Sequence, residues 1–354
     1  MSVNSIEPAP CDALSISNPL TSPDWDSLVG SFPQSTYFHK SAWLRTLAES
    51  YNYTPYALSI GDSAEPEALL LTMEIDSWLT GKRAVTLPFS DFCSPLYRDE
   101  SLLPRLIEST IEFGRERGWK FLELRGEIPP HYGQPSVQFI GHTLDLSSDE
   151  DVIFNQLSPS NRRAIRKSQS SGLECVRGNN LNDLRDFYRL VSITRRRHGL
   201  PPQPWNFFKR LHANVLEKGN GSLFLARNES SPIAGALFFH DGRSATYKYG
   251  ASDGRSQALR PNNLVMWNAI KWLREIGVEE LHFGRTSIAN RGLAKFKASW
   301  GAKEAPINYY RLDSNSRTSL KCADRSSGWQ NAVFRWTPLS VSRIAGELLY
   351  KHVG

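Results

Sequence analysis

The chain has 354 residues, 40% of them hydrophobic and 22% charged, with a formal net charge of +6. This suits a soluble globular protein of two ordinary domains with sizeable cores, and the small positive excess favours anionic partners. Four scattered cysteines (Cys11, Cys93, Cys175 and Cys322) lack CxxC or CxxH spacing, which argues against a zinc site or a disulfide framework and for a reducing cytoplasm.

Residues 1–22 are rich in Ser and Pro and read as a flexible tail. They lack the basic start and apolar core of a signal peptide, and no apolar run approaches the ~18 residues that span a bilayer. A helix is expected from about Lys40 to Tyr51, where Trp43, Leu47 and Tyr51 recur every four residues. Strand-like runs follow at 56–60, 67–75 and 83–89. A helix over about 101–117 stops at Gly118 and feeds the strand KFLELRG, and HTLDL (142–146) closes the first half.

The second half opens on SPSNRRAIRKSQSSG, a helix capped by Ser158, begun by Pro159 and stopped by Gly172. A short strand LECVRG leads to a helix over 181–198 and another over about 205–218. Three strands come in quick succession at 222–227, 233–240 and 244–251. A helix from Asn263 to Ile276 precedes the strand EELHFGRT, the helix in RGLAKFKASWGA and the strand PINYYRL.

The halves rhyme. Two strands joined by a polar turn occur in each, and ERGWKFLELRG is answered by REIGVEELHFGRT with Gly118, Leu122 and Leu124 aligned to Gly277, Leu281 and Phe283. The expected fold is therefore α/β (α+β) and duplicated, each unit a mixed, mostly antiparallel sheet flanked by helices. The units are drawn at 23–150 and 151–315, with a C-terminal tail over 316–354 that carries an amphipathic helix.

This order resembles two tandem GNAT acyltransferase units, the architecture of the FemAB-like family. The resemblance spans about residues 30–312 and is carried by YFHKSAW, ELRG, SPSNRRAIRKSQSSGL, RRRHGLPPQPWNFFKRL, PIAGALFF and HFGRTSIANRGLAKFKASWGA. It implies an N-acyltransferase that moves an acyl or aminoacyl group to an amine of a cell-envelope or exopolysaccharide precursor. Acyl-CoA is the implied co-substrate, with no metal. The alternatives are an aminoacyl-tRNA-dependent peptidoglycan bridge transferase and a non-catalytic polysaccharide-system scaffold or RNA-binding protein. Two features depart from the pattern: there is no coiled-coil insertion, and ASDGRSQALRPNN stands where a GNAT pyrophosphate loop has several glycines.

Amine acylation needs positioning, proton removal and oxyanion stabilisation, and no nucleophilic side chain. Alternation along SATYKYGA puts Tyr247 and Tyr249 on one face and Lys248 on the other, and the resemblance implies that this strand lines the acyl donor. A tyrosine hydroxyl there would serve the oxyanion or the leaving group. His240 and Asp253 are lesser candidates for a base, and His282 reads as an ordinary core or surface histidine. At the following helix start, Arg255, Arg260, Asn262 and Asn263 are the candidates to bind a donor's phosphates.

Arg162/Arg166 and Arg163/Lys167 are i,i+4 pairs that give one helix a cationic side, a candidate phosphate wall. The run 195–197 ends a helix, where cations suit the dipole; the resemblance places it beside the substrate cleft, making Arg196 and Arg197 substrate candidates. Lys40 is a substrate candidate through the resemblance alone. In RGLAKFKASWGA, helical spacing sets Lys297 with Leu293, Phe296 and Trp300, while Lys295 faces the opposite way. Lys297 is the expected catalytic lysine and Lys295 a solubilising charge. The tail helix carries Val341, Ile344, Ala345, Leu348 and Leu349 on one face; docking on the protein is expected, with peripheral contact to an anionic membrane as the alternative. A small-molecule or lipid-linked glycan or peptide precursor is the expected partner, and the cytoplasm, at or near the inner membrane, the expected location.

Overall fold

The protein is described here from a computed structural model covering residues 14–316, 318–321, 335 and 337–354. The start of the expected N-terminal tail, residues 1–13, and residues 322–334 of the C-terminal tail lie outside the described residues. The rest of the N-terminal tail is structured. Leu14–Ser17 forms β1, paired antiparallel with Thr54–Gly61 (β2).

In the first half, α1 (Trp25–Gly30) and α2 (Ser41–Tyr51) precede β2, β3 (Pro66–Ile75), β4 (Arg83–Val85) and β5 (Leu96–Tyr97), and α3 (Leu103–Glu116), β6 (Phe121–Arg125) and β7 (Val137–Asp145) follow. The second half repeats the order. It runs α4 (Glu150–Gln156), α5 (Pro159–Ser170), β8 (Glu174–Gly178), α6 (Leu181–Arg197), α7 (Trp205–Leu211), β9 (Gly221–Asn228), β10 (Ser231–Asp241), β11 (Ser244–Ser252), α8 (Pro261–Glu275), β12 (Glu280–His282), β13 (Thr286–Ser287), α9 (Arg291–Ala298) and β14 (Lys303–Asp313). A last helix, α10, spans Leu339–Val353. The expected Ser158 cap is present, and the Asn180 and Asn290 side chains cap α6 and α9 in the same way, each accepting from first-turn amides.

The strands form one continuous 14-stranded sheet whose main path runs β1-β2-β3-β4-β6-β14-β7-β12-β11-β10-β9-β8. Read from either end, the path has the same pattern. Among the described residues, the only parallel pair in each unit is β4 with β6 or β11 with β12, and the other path pairs are antiparallel. The two units are thus related as by a two-fold through the central β7–β14 ladder. That ladder crosses the expected division of the chain at 150. The strand β7 leaves the first unit to lie on β12 of the second, and β14 crosses back to lie on β6 of the first. Each unit therefore completes its sheet with a strand that follows the other.

Three large cores result. Under α3, Leu70, Leu106, Ile111 and Trp119 pack on one outer face, and under α5 and α8, Ile165, Phe238, Trp267 and Leu281 pack on the other. Between the units, α2, α6 and α7 bury Trp43, Leu47, Phe187, Phe207 and Phe208 against Leu71, Leu225 and Phe239. The expected strand over 83–89 ends at Val85, because Leu87 and Phe89 take left-handed backbone angles (φ 56° and 59°).

The C-terminal helix docks, but with the face opposite to the one its hydrophobic pattern suggests. Ser342, Gly346, Tyr350 and His352 are buried, while Val341, Ile344 and Leu348 are exposed. Gly346 permits this, since a Cβ there would overlap the Pro202 carbonyl oxygen. Polar contacts fasten the helix end. Arg83 donates to the His352 and Val353 carbonyls at 3.0 and 3.1 Å, and Tyr53 donates to the Tyr350 carbonyl at 3.0 Å.

Candidate active site

Parallel pairing of β11 and β12 covers only 244–246 against 280–282, after which the strands part. A bulge in β11 opens this splay. Leu237 pairs with Tyr249 and Phe238 with Tyr247, so Lys248 is the extra residue and the alternation breaks. Tyr247 and Tyr249 therefore face opposite cores, contrary to the shared face expected from alternation. Tyr247 packs on Phe238 and Phe283, and burial pushes its pKa up to about 12. Its hydroxyl lies where a side chain on residue 250 would be, which requires Gly250. Tyr249 lies against Phe207 and Phe208 and donates to Gln203 at 2.7 Å. The two hydroxyls therefore do not share a face, and that of Tyr249 is committed to Gln203.

The bulge turns Lys248 inward instead, to the Phe89 carbonyl and, at 3.3 Å, the Asp91 carboxylate. Asp91 belongs to the segment 86–93, which fills the gap between β4 and β6 in the first unit and reaches the splay of the second. Donors from three strands hold this segment. Arg125 bonds the Leu87 and Ser90 carbonyls at 3.0 and 3.1 Å, and Tyr309 bonds the Asp91 carbonyl at 2.7 Å. Arg125 is itself fixed by Glu123 (2.8 Å), whose carboxyl is brought down to about 2 because Arg125 and Arg311 outweigh its burial. Such restraint is what two left-handed, non-glycine residues require, each costing ~1 kcal/mol or more.

Asp91 is the centre of an inter-unit cluster that the sequence reading missed. Its carboxylate accepts the Arg285 amide at 3.2 Å. Burial opposes ionisation, but Lys248, Arg285 and His282 together hold its pKa below the ordinary value. Lys297 completes the cluster. It is 2% exposed and donates to the Gly284 and Arg285 carbonyls at 2.8 and 3.2 Å. Burial pushes its pKa down to about 8, with Asp91 opposing. Lys295 is exposed, as expected; Leu293, placed by its spacing on the buried stripe, is 36% exposed.

The candidates for phosphate contact divide. Arg197 stands at the end of α6 beside Gly254, at the mouth of the splay, and the neighbouring Arg196 is half-buried. Arg195, the first of the run, is committed to the C-terminal helix through the Tyr350 hydroxyl at 2.5 Å. Arg255 is exposed and folded onto Asp253 (2.7 Å), and Arg260 takes a left-handed conformation just before α8. Arg166 lies over Phe154 and Arg162 is half-buried, both on α5. Asn262 bonds Ser252 at 3.3 Å. Asn263 donates to Asn161 at 2.9 Å, and Asn161 donates to the Ser299 carbonyl at 3.1 Å, two residues beyond Lys297. That strut ties α8 and α5 to the helix that carries the lysine. Lys40 pairs with Asp241 at 3.1 Å and donates to the Asp26 carbonyl, tying the first unit to the β10–β11 turn.

Residues 160–298 match the acetyltransferase (GNAT) domain family. The chain is 20% identical to a Lipid II:glycine glycyltransferase of Staphylococcus haemolyticus, over 80% of this chain and 88% of that one. It is 26% identical to the UDP-N-acetylmuramoylpentapeptide-lysine N(6)-alanyltransferase of Weissella viridescens, over about half of each chain (50% and 52%). Among solved structures, FemX superposes with a TM-score of 0.62 at 16% identity, covering 80% of this chain and 94% of that one. A tandem GNAT protein from the clavulanic acid pathway gives 0.55 at 9% identity over 86% and 99%. With its palindromic pair of units and its bulged and splayed strands, the chain has the fold of the tandem GNAT structures and is similar to the glycyl- and alanyltransferases named above.

Proposed function

We propose that the protein transfers an aminoacyl group from an activated ester to an amine of a lipid-linked peptide precursor of the cell envelope. The observation that carries this reading is the cluster of Asp91, Lys248, Arg285 and Lys297 at the splay, built from both units. The aminoacyl group and the peptide acceptor are argued from the glycyl- and alanyltransferase relatives. In the reaction the amine nitrogen adds to the donor carbonyl, the C–O bond of the ester breaks, and the departing hydroxyl takes the proton that nitrogen loses. Lys297, carrying a proton at neutral pH and held by two carbonyls, would donate to the oxyanion. Asp91, kept ionised, is too weak a base to take an ammonium proton; it balances the charge of Lys248 and Lys297.

Arg196 and Arg197 at the mouth, with Arg260 and Arg162 nearby, would meet the donor's phosphates. Acyl-CoA is the second donor reading, favoured by the GNAT match. The reaction would take place on the cytoplasmic side. No helix among the described residues is long and apolar enough to cross a membrane. The exposed Ile344 and Leu348, with Trp78 84% exposed beside the same helix, offer a surface for peripheral contact with lipid. The test is transfer of label from charged tRNAs, run beside acyl-CoA thioesters, to lipid-linked and nucleotide-linked muropeptides. Label from tRNA appearing in an amide supports the reading. Turnover with acyl-CoA alone replaces the donor, and no transfer from either donor refutes the assignment.

A further inference from the structure

In both units the parallel strands part after a short ladder, β4 from β6 beyond Val85 and β11 from β12 beyond Thr246. The two gaps differ. At the offset that aligns Leu122 and Leu124 with Leu281 and Phe283, Glu123 and Arg125 of the first unit correspond to His282 and Gly284 of the second. Where the second unit has a glycine, the first has an arginine, and the segment 86–93 lies across its gap. Both ends of that segment are tied to β6. The Thr86 amide donates to the Glu123 carbonyl and its hydroxyl accepts the Arg125 amide, both at 2.8 Å, while the Cys93 amide donates to the Arg125 carbonyl at 2.7 Å. Just beyond, the fully buried His39 bonds the Ser94 carbonyl at 3.0 Å.

Between its ends the segment is held from inside. Arg125 and Tyr309 are 4% and 2% exposed and share the Ser90 carbonyl, at 3.1 and 3.3 Å. The Arg125 guanidinium carbon lies 5.1 Å from the centre of the Tyr309 ring. From the second unit, the Lys248 ammonium reaches the Phe89 carbonyl out of a box of three rings, Phe38 at 5.1 Å and Trp43 and Tyr249 at 5.5 Å. Apolar side chains could close such a gap without buried ions or a left-handed leucine and phenylalanine. What this arrangement adds is one carboxylate, Asp91, carried across to the second unit.

Asp91 touches the turn that holds the lysine. Its carboxylate accepts the Arg285 amide at 3.2 Å, and a Cβ on Gly284 would stand 3.3 Å from its carboxyl atoms. The Gly284 and Arg285 carbonyls of the same turn accept from Lys297 at 2.8 and 3.2 Å. A shift of the segment therefore moves the turn, and the turn moves the ammonium. We propose that Arg125 and Tyr309 are positioning residues of the transfer reaction, acting on Lys297 through the segment 86–93, Asp91 and the turn at 284–285. The first unit thereby serves the chemistry of the second through residues that touch no substrate. This rests on the reading of the protein as an acyltransferase with Lys297 at its reacting centre.

The test is a double-variant cycle joined to a second readout that needs no substrate. Tyr309→Phe keeps the ring against Phe139 and Arg125 and removes the bond to the Asp91 carbonyl at 2.7 Å. Arg125→Lys keeps the charge beside Glu123 but loses the guanidinium that reaches Glu123 and both carbonyls at once. Each should lower kcat ~10-fold with substrate KM values within about twofold, since a small misplacement of a reacting group slows the chemical step. In the Asp91→Asn background neither should lower kcat further, because the route to Lys297 is already cut. Hydrogen exchange on the full chain reads the same contacts directly. The Arg285 amide should exchange ~10-fold faster in both variants while the amides of α3 keep their native protection. Native kcat or native exchange at Arg285 in one variant removes that residue from the proposal, and in both it overturns the proposal. Losses that multiply in the double variants overturn it too, since they mark damage that does not pass through Asp91. Faster exchange at Arg285 in a protein that transfers nothing would keep the relay and refute the transferase reading. Transfer with native exchange in both variants would keep the reaction and overturn the positioning.

Discussion

Replacing Lys297 by methionine separates a catalytic lysine from a structural one. The substitution keeps most of the buried stem and removes the ammonium. Two opposed terms follow from its surroundings. Losing the donor leaves the Gly284 and Arg285 carbonyls unpaired, at ~1–3 kcal/mol each. Against this, a lysine brought from 10.5 to about 8 carries roughly 3 kcal/mol of penalty for holding its charge in the interior, and the variant is relieved of it. The terms largely cancel, so urea unfolding should show Lys297→Met within about 2 kcal/mol of the native protein. Transfer should nevertheless fall ~100- to 1,000-fold, the usual loss for one oxyanion donor. Lys295→Ala, at an exposed site, should change neither. The same lysine predicts a pH signature. Because its folded pKa lies below its unfolded value, the unfolded chain binds more protons between about pH 8 and 10.5, and stability rises across that window. The native protein should therefore gain stability relative to Lys297→Met between pH 7.5 and 9.5. A variant that unfolds by more than about 4 kcal/mol, or one that keeps near-native transfer, would show that the lysine only clamps its two carbonyls.

Asp91→Asn should cost ~100-fold in transfer and, by removing the group that opposes the burial of Lys297, move the lysine's titration further below its native midpoint, as read by 13C shifts of methylated lysines. Asn161→Ala should cut the Asn263–Asn161–Ser299 strut and lower kcat several-fold at unchanged donor KM, since it positions α9 and touches no substrate. Arg197→Ala, at the mouth of the splay, should raise the donor KM and weaken its salt dependence with little change in kcat. Gly346→Val should undock α10 and lower the melting temperature, because its side chain meets the Pro202 carbonyl. Ile344→Ser with Leu348→Ser should leave the melting temperature unchanged and reduce co-sedimentation with anionic liposomes.

The amino-acid sequence by itself determined what local physics encodes. Helices with capped ends, strands of near-continuous apolar residues and the repeat of one unit were all readable, because each depends on spacing and on residues a few positions apart. The same holds for the contrast between Lys297 and Lys295, two residues apart and therefore on different sides of a helix. Only the tertiary structure decided the rest. Alternation put Tyr247 and Tyr249 together until a single extra residue, Lys248, opposed the partner strand, and a bulge is defined by that partner. The pattern of the last helix named its apolar face, but close approach at Gly346 chose the other one for packing. Asp91 stood unmarked within LPFSDFC, since its partners Lys248 and Arg285 lie more than 150 residues away and meet it only after the units exchange β7 and β14. Local order follows from short-range sterics and burial. The site is made by contacts of long sequence separation, and those exist only once the whole sheet has closed.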